Sequence, residues 1–321
     1  HSPLPPDAPS ELKRLVGEYA SGDSHLTVYE AGGELFAEGV GLHRVRLHRQ
    51  SATRYFVDDA AEAAQAIRLE FSLDGRRRAE AVVVGGNRLQ FRDIGLEIVE
   101  TIRAGVRGDS GRLREAALAA KPPFEAAAKR ASDLVDLATV DPTIKLDIRY
   151  ASSNNFIGFP LYERPAAYLQ RPAAEALGRV QRALKASGYG LLVHDGYRPW
   201  FVTKMFWDAT PETAHVFVAD PSQGSRHNRG CAVDLTIYDL GSGKAVEMTG
   251  RYDEMSQRSY ADYVGGTSRQ RWWRDLLRRE MEAQGFAVYA EEWWHFDYKD
   301  WSDYAIGTAT FSELEAARHT S

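Results

Sequence analysis

The alternation of apolar and polar positions divides the chain into a β-patterned first third and a mixed remainder. His25 to Ala31 alternates in polarity, Gly32-Gly33 supplies a hairpin turn, and Glu34 to Glu38 returns. Ile67, Leu69, Phe71 and Leu73 alternate with Ala66, Arg68, Glu70 and Ser72, the pattern of a half-buried strand that turns at Asp74-Gly75. Ala81 to Val84 and Arg88 to Arg92 predict another hairpin around Gly85-Gly86-Asn87. Short strands at this spacing predict an all-β domain, a small barrel or sandwich, over 11–108. On such strands His25, His43 and His48 read as polar-face residues rather than ligands.

The pattern then changes. Gly111 to Ala120 is helix-prone, stops at Pro122-Pro123 and resumes over Phe124 to Ala131, so 109–134 is expected to be a helical linker. Over 135–321 the two periods mix. Leu134 to Val140 and Ile144 to Tyr150 are strand-like. Pro172 to Ser187 predicts an amphipathic helix with Ala176, Val180, Ala183 and Leu184 on one stripe, ended by Gly188 and Gly190. Leu191 to His194 reads as a short buried strand and Trp200 to Trp207 as helix. Arg269 to Gln284 is a second long helix, ended by Gly285, and Phe286 to Tyr289 is a strand. The expectation is an α+β domain with a small antiparallel sheet.

Composition adds limits. A chain of 321 residues exceeds the usual single-domain size, so two domains are expected. A net charge of −5 gives no electrostatic case for nucleic acid, and Arg76-Arg77-Arg78 reads as a solvated turn. No apolar run approaches the roughly 18 residues of a membrane span. The single cysteine, Cys231, excludes an intramolecular disulfide and falls on an apolar face, where an inert thiol is expected. Residues 1–10 read as an extended, Pro-rich arm without an initial Met. A removed secretory signal or a trimmed chain would each give that start. With the accessory β-domain it sets the expectation of an extracytoplasmic place, periplasmic or secreted, with the cytoplasm as the alternative. Oligomeric state is left open.

Candidate chemistry concentrates in two stretches. Ser225 to Leu235 places His227 and Asp234 on either side of Gly230, and Glu292-Trp293-Trp294-His295 follows sixty residues later. From Cys231 to Tyr238 the residues read as a strand. Cys231, Val233, Leu235 and Ile237 form a uniformly apolar face, so Asp234 points the other way, between small Ala232 and Thr236. A carboxylate on such a strand is rarely buried unless paired or metal-bound. Two imidazoles and one carboxylate (His227, His295 and Asp234) suit a catalytic zinc site, since three protein ligands leave a fourth position for water. Glu292 would then be the base. Glu292 and His295 stand three apart, so on an ideal strand they face opposite sides; to serve one site, the backbone must bend or the pair must lie at a strand end.

These segments resemble the zinc D,D-peptidases of the D-alanyl-D-alanine dipeptidase type. The resemblance rests on Ser225-x-His227-x-x-Gly230-x-Ala232-x-Asp234, on Glu292 to His295, and on Asp195-Gly196-Tyr197-Arg198-Pro199. It extends to Asp147 to Ala151 with Asn155-Phe156-Ile157-Gly158, and to Arg251-Tyr252-Asp253-Glu254-Met255, five motifs in order over roughly 135–305. Ile157 stands where the family often has Thr, and Thr249 to Tyr252 departs from the commoner family wording. The Leu15 to Tyr19 opening is similar to small β-barrel domains appended to secreted bacterial hydrolases.

The resemblance implies one Zn²⁺ per chain on His227, Asp234 and His295, with Glu292 as general base. It gives Arg198 a share of the developing oxyanion, although the residues alone allow a structural salt bridge to Asp195 equally. It places Asp253 and Tyr150 at the substrate's amino end and Ser225 among the substrate contacts. The implied partner is a small cell-wall peptide, D-Ala-D-Ala. Two alternatives stay open: a D,D- or L,D-carboxypeptidase on longer peptidoglycan peptides, and a non-enzymatic wall-peptide binding protein, against which an intact Glu292 argues.

Overall fold

Period-two side chains close the first part of the chain on itself. The computed structural model describes residues 3–57, 67–125 and 128–318. A short helix, α1 (Ser10–Lys13), precedes eight strands: β1 (Gly17–Ser21), β2 (Ser24–Ala31), β3 (Glu34–Gly39), β4 (Leu42–Arg49), β5 (Arg54–Val57), β6 (Ile67–Leu73), β7 (Ala79–Val84) and β8 (Asn87–Phe91). Each pairs antiparallel with the next, and β8 returns to β1 through Tyr19↔Phe91 and Ala20↔Gln90. The sheet is therefore a closed barrel rather than a sandwich. Tyr19, Leu26, Val28, Leu35, Leu47, Leu69, Phe71, Val82 and Leu89 fill its interior as one buried cluster. His48 stacks on Phe56 at 5.3 Å and His25 pairs with Glu18, so each is a wall residue. Ala66, residues 1 and 2 of the arm, and 126–127 of the expected linker helix lie outside the described residues.

The β pattern expected as far as Gly108 ends at Phe91. Helix α2 (Ile94–Val106) follows, with Val99, Ile102 and Val106 buried at helical spacing, and then α3 (Ser110–Ala119). Phe124, Glu125 and 128–131 are not helical, a correction to the linker reading. Pro122 and Pro123 remove two backbone donors and disfavour helix in the residues before them.

The remainder is α+β. Its elements are β9 (Leu134–Asp136), α4 (Leu137–Val140), β10 (Lys145–Leu146), β11 (Tyr168–Gln170), α5 (Arg171–Ala186), β12 (Tyr189–Asp195) and α6 (Trp200–Ala209). They continue with β13 (Ala232–Asp239), α7 (Ser268–Glu282), β14 (Phe286–Tyr289), β15 (Glu292–Tyr298) and α8 (Phe311–Arg318). The strand expected over Leu134 to Val140 turns helical at Leu137, because the Asp136 carboxylate accepts from the Ala138 N–H at 2.9 Å and caps a helical turn. The strand expected over Ile144 to Tyr150 is confined to Lys145–Leu146, and Arg149–Ala151 is a 3₁₀ turn.

Five strands form the sheet that positions the site, in the order β10-β12-β13-β15-β14. It is mixed rather than antiparallel throughout, since β10 runs parallel to β12. Helix α5 is tied to it by Gln181, whose amide accepts from the Leu191 N–H at 2.7 Å and donates to Thr143 Oγ1 at 2.9 Å. Register decides the rest: Asp195 pairs with Asp234, and Asp234 with His295, so three polar residues form one row across β12, β13 and β15. Every residue of β13 from Ala232 to Tyr238 is buried, so the face carrying Asp234 is covered as well as the apolar one. The chain divides into two compact units. One comprises His1–Ile94, Glu247–Thr249 and Tyr263–Arg274; the other comprises Gly95–Val246, Gly250–Asp262 and Asp275–Ser321. Among the described residues no helix is long and apolar enough to cross a membrane.

Two of these packing details can be tested directly. Gly230 has φ +68°, and an added Cβ would stand 2.4 Å from Leu134 Cδ2. Gly230→Ala is expected to destabilise the chain by about 1–2 kcal/mol through the left-handed backbone alone, read as a lowered midpoint in thermal unfolding; an unchanged midpoint refutes it. In the barrel, the hydrogen bond to Glu18 raises the pKa of His25 despite partial burial. A raised folded-state pKa contributes stability that is complete below the unfolded value, near 6.5, and disappears as pH climbs through the folded value. Urea titrations across that window should show barrel stability falling with pH, and His25→Gln should flatten the slope.

Candidate active site

His227 is held by a turn rather than by a strand. His227–Arg229 form one 3₁₀ turn that Gly230 closes in the left-handed conformation. Asn228 knots the turn: its Oδ1 accepts from the Ser225 N–H at 2.7 Å, and its amide donates to Arg198 O at 2.8 Å and Thr203 Oγ1 at 2.9 Å. Ser225 Oγ accepts from the His227 N–H at 3.2 Å, so Ser225 braces the turn while also lining the pocket. His227 Nδ1 lies 2.7 Å from Gly196 O. A carbonyl accepts only, so the ring proton sits on Nδ1 and the Nε2 lone pair faces inward.

Asp234 and His295 meet His227 from the sheet. Asp234 Oδ1 lies 3.2 Å from His227 Nε2 and 3.0 Å from His295 Nδ1, and the two ring nitrogens are 3.1 Å apart. The other Asp234 oxygen accepts from Tyr252 Oη at 3.0 Å, with Arg198 Nη2 at 3.7 Å. All three residues are buried, at 2–8% exposure. Burial would raise the Asp234 carboxyl, but the imidazoles hold it well below its usual range. Burial would lower His295, but Asp297 and Asp234 push it well above the usual imidazole value. The buried Asp234 carboxylate thus needs positive charge beside it, carried by the imidazoles or by a cation that they share with it.

The group fits a divalent cation. Donors bound at about 2.0–2.1 Å around one tetrahedral ion stand roughly 3.3 Å from one another, close to the separations here. Among the described residues, this is the one group of three or more His, Cys, Asp or Glu able to hold a metal ion.

Glu292 reaches the cluster from the start of β15. The register shifts between Val288 and Tyr289, which pairs with Glu292. That irregularity at a strand end lets two residues three apart approach one another, with Glu292 Oε2 3.7 Å from His295 Nδ1. Burial, with Asp234 adding to it and His295 opposing, moves Glu292 up to about 7.

Arg198 follows β12, and Asp195 anchors it. Arg198 Nε and Nη2 donate to Asp195 Oδ2 at 3.0 and 2.9 Å, and Tyr162 Oη donates to Asp195 Oδ1 at 2.7 Å. The guanidinium lies 4.6 Å from the Phe206 ring centroid and 5.4 Å from that of Tyr150. Arg198 therefore makes the structural pair that the residues allowed and also lines the pocket. Tyr150 Oη donates to Asp253 Oδ1 at 2.9 Å, while Asp253 Oδ2 is buried without a partner. Asp253 adopts φ +59°, a conformation that aspartate tolerates better than most residues. Burial and the nearby Asp234 hold its carboxyl well above the usual range, against the Tyr150 hydrogen bond.

The eight residues singled out by motif (Tyr150, Arg198, Ser225, His227, Asp234, Asp253, Glu292 and His295) all line one cavity of about 470 Å³. Trp207, His215, Val216, Phe217 and Trp294 are among its other walls. Sequence reasoning missed Tyr252 and Asn228, which hold Asp234 and the His227 turn; no spacing marks either. It also missed Asp297, whose Oδ1 lies 2.9 Å from His295 Nε2 and which period two from His295 could have found.

Residues 130–313 match the family model Peptidase_M15, described as D-ala-D-ala dipeptidase. The chain is 33% identical over 181 residues to a D-alanyl-D-alanine dipeptidase of Escherichia coli (strain K12), covering 56% of this chain and 92% of that one. It is 34% identical over 175 residues to a D-alanyl-D-alanine dipeptidase of Enterococcus faecium, covering 49% and 87%. The solved structure of the LdcB LD-carboxypeptidase aligns at TM-score 0.30 and 18% identity, over 60% of this chain and 75% of that one. With more than half its length matched by one model, the chain belongs to the D-ala-D-ala dipeptidase family of peptidases.

Proposed function

We propose that this chain hydrolyses free D-alanyl-D-alanine, using Zn²⁺ held by His227, Asp234 and His295. One observation carries the substrate reading: a cation-binding group, a carboxylate base and a carboxylate with an unpartnered oxygen, Asp253 Oδ2, line a single small cavity. Two imidazoles and a carboxylate form a borderline donor set suited to zinc. When bound, the ion supplies Lewis acidity toward the scissile carbonyl and the attacking water.

The protein's own groups do the rest. Glu292 takes a proton from the attacking water and returns it to the leaving amine, a role supported by its position 3.7 Å from His295. The Arg198 guanidinium, held rigid by Asp195, faces negative charge growing on the carbonyl oxygen. Tyr252 keeps its proton because burial raises its pKa, and it orients Asp234 by donating to Oδ2. Asp253 and Tyr150 receive the substrate's free ammonium, which supplies the missing partner for Oδ2. A longer peptide presents a neutral amide there, whose single N–H lacks the ammonium's charge, which favours the free dipeptide.

Four outcomes are expected with zinc-loaded protein. Amino-acid release from D-Ala-D-Ala should greatly exceed release from a D-Ala-D-Ala-terminated pentapeptide; preferred cleavage of the pentapeptide overturns the dipeptide reading, and no cleavage of either leaves a binding protein. Glu292→Ala should lower kcat by roughly three to four decades, and Arg198→Ala by about two to three. Asp253→Asn should raise KM for the dipeptide about 10–100-fold with a smaller change in kcat. Equal loss in both parameters would instead place Asp253 in the chemical step.

A further inference from the structure

Asp297 has no part in the chemistry above, yet it touches the cluster from outside. It follows His295 by two residues on β15, so both side chains leave the same face of the strand. Its cross-strand neighbours are Ala232 on β13 and Ala287 on β14, two small residues that leave room for a ring and a carboxylate side by side. Asp297 Oδ1 lies 2.9 Å from His295 Nε2, and Oδ2 lies 3.5 Å from Arg226 Nε. The Arg226 guanidinium in turn rests 4.8 Å from the Trp301 ring centroid. The Asp297 side chain is 15% exposed, so this contact is sheltered from water.

The arrangement decides which nitrogen of His295 is available. An ionised carboxylate only accepts, so the proton facing it belongs to Nε2. Nδ1 faces Asp234 Oδ1 at 3.0 Å and His227 Nε2 at 3.1 Å, so a cation held among the three would take the Nδ1 lone pair while the Nε2 proton stays directed at Asp297. The two imidazoles are oriented differently. His227 donates to a neutral carbonyl, Gly196 O, and His295 donates to a charged acid. An outer carboxylate makes an imidazole a stronger ligand as well as fixing its plane.

We propose that Asp297 is a positioning residue. It locks the tautomer and ring orientation of His295 so that Nδ1 completes the cation-binding group, and Arg226, braced on Trp301, holds it there. The inference rests on the reading of His227, Asp234 and His295 as ligands of a divalent cation.

The test uses the full chain and reads metal binding rather than turnover. Zn²⁺ affinity is measured by competition with a chromophoric chelator for wild type, Asp297→Ala and Asp297→Asn, with the visible spectrum of the Co²⁺ form recorded for each. Asp297→Ala should weaken Zn²⁺ binding about 10–100-fold and alter the Co²⁺ bands. Asp297→Asn still offers an oxygen to Nε2–H and should recover part of the affinity, and it decides the matter should the alanine variant fail to fold. Folded variants that bind Zn²⁺ as tightly as wild type, with unchanged Co²⁺ spectra, overturn the positioning role. A wild-type chain that takes up neither ion overturns the metal reading itself, and differs from the previous result because the parent fails along with its variants.

Discussion

Asp234 is the constraint on which the site depends. A carboxylate buried at the centre of a sheet is tolerated only with its charge compensated and its lone pairs occupied. Here the two oxygens are divided: Oδ1 faces the two imidazoles, and Oδ2 faces Tyr252 and Arg198. That division fixes the surroundings. β12, β13 and β15 must keep a register that sets Asp195, Asp234 and His295 in one row. The turn at Gly230 must bring His227 back over the same face, and the loop bearing Tyr252 must cover the other oxygen. A slip of one residue in β13 would send Asp234 to the opposite face and leave the imidazoles without their shared partner.

Glu292 and Asp253 sit where the backbone is irregular. Glu292 opens β15 beside a register shift, and Asp253 occupies a left-handed position. Regular strand geometry aims side chains at only two directions, so additional groups reach a common point through bends and turns. Strain of this kind is concentrated at working sites and sustained by the packing around them. Tyr150, fully buried among Phe156, Tyr162 and Phe206, supplies such support for Asp253.

Legibility followed locality. Alternation marked the barrel strands, but closure depends on β8 finding β1 across the whole length of the unit, and no local pattern distinguishes that from a sandwich. Helix α2 escaped notice because Gly95 and Gly105 dilute its stripe of Val99, Ile102 and Val106. His227, Asp234, Glu292 and His295 were legible since a buried acid on an apolar strand beside imidazoles has few bland explanations. Arg198 was half legible: the residues gave a charge and a nearby acid, and the structure gives both a pair and a pocket wall. Asp297 stood at period two from His295 on the same strand, whereas Tyr252 and Asn228 were hidden because their roles arise only when distant segments meet. The short parallel partner β10 was hidden for the same reason.

The closed barrel carries a consequence of its own. An open sheet exposes an edge whose free amide and carbonyl groups can capture an extended peptide by β-augmentation, reading backbone rather than side chains. Among the described residues, the bonding of β1 to β8 leaves no terminal strand to offer such an edge. Closure therefore leaves the outer wall and the connecting loops as the surface that this unit presents.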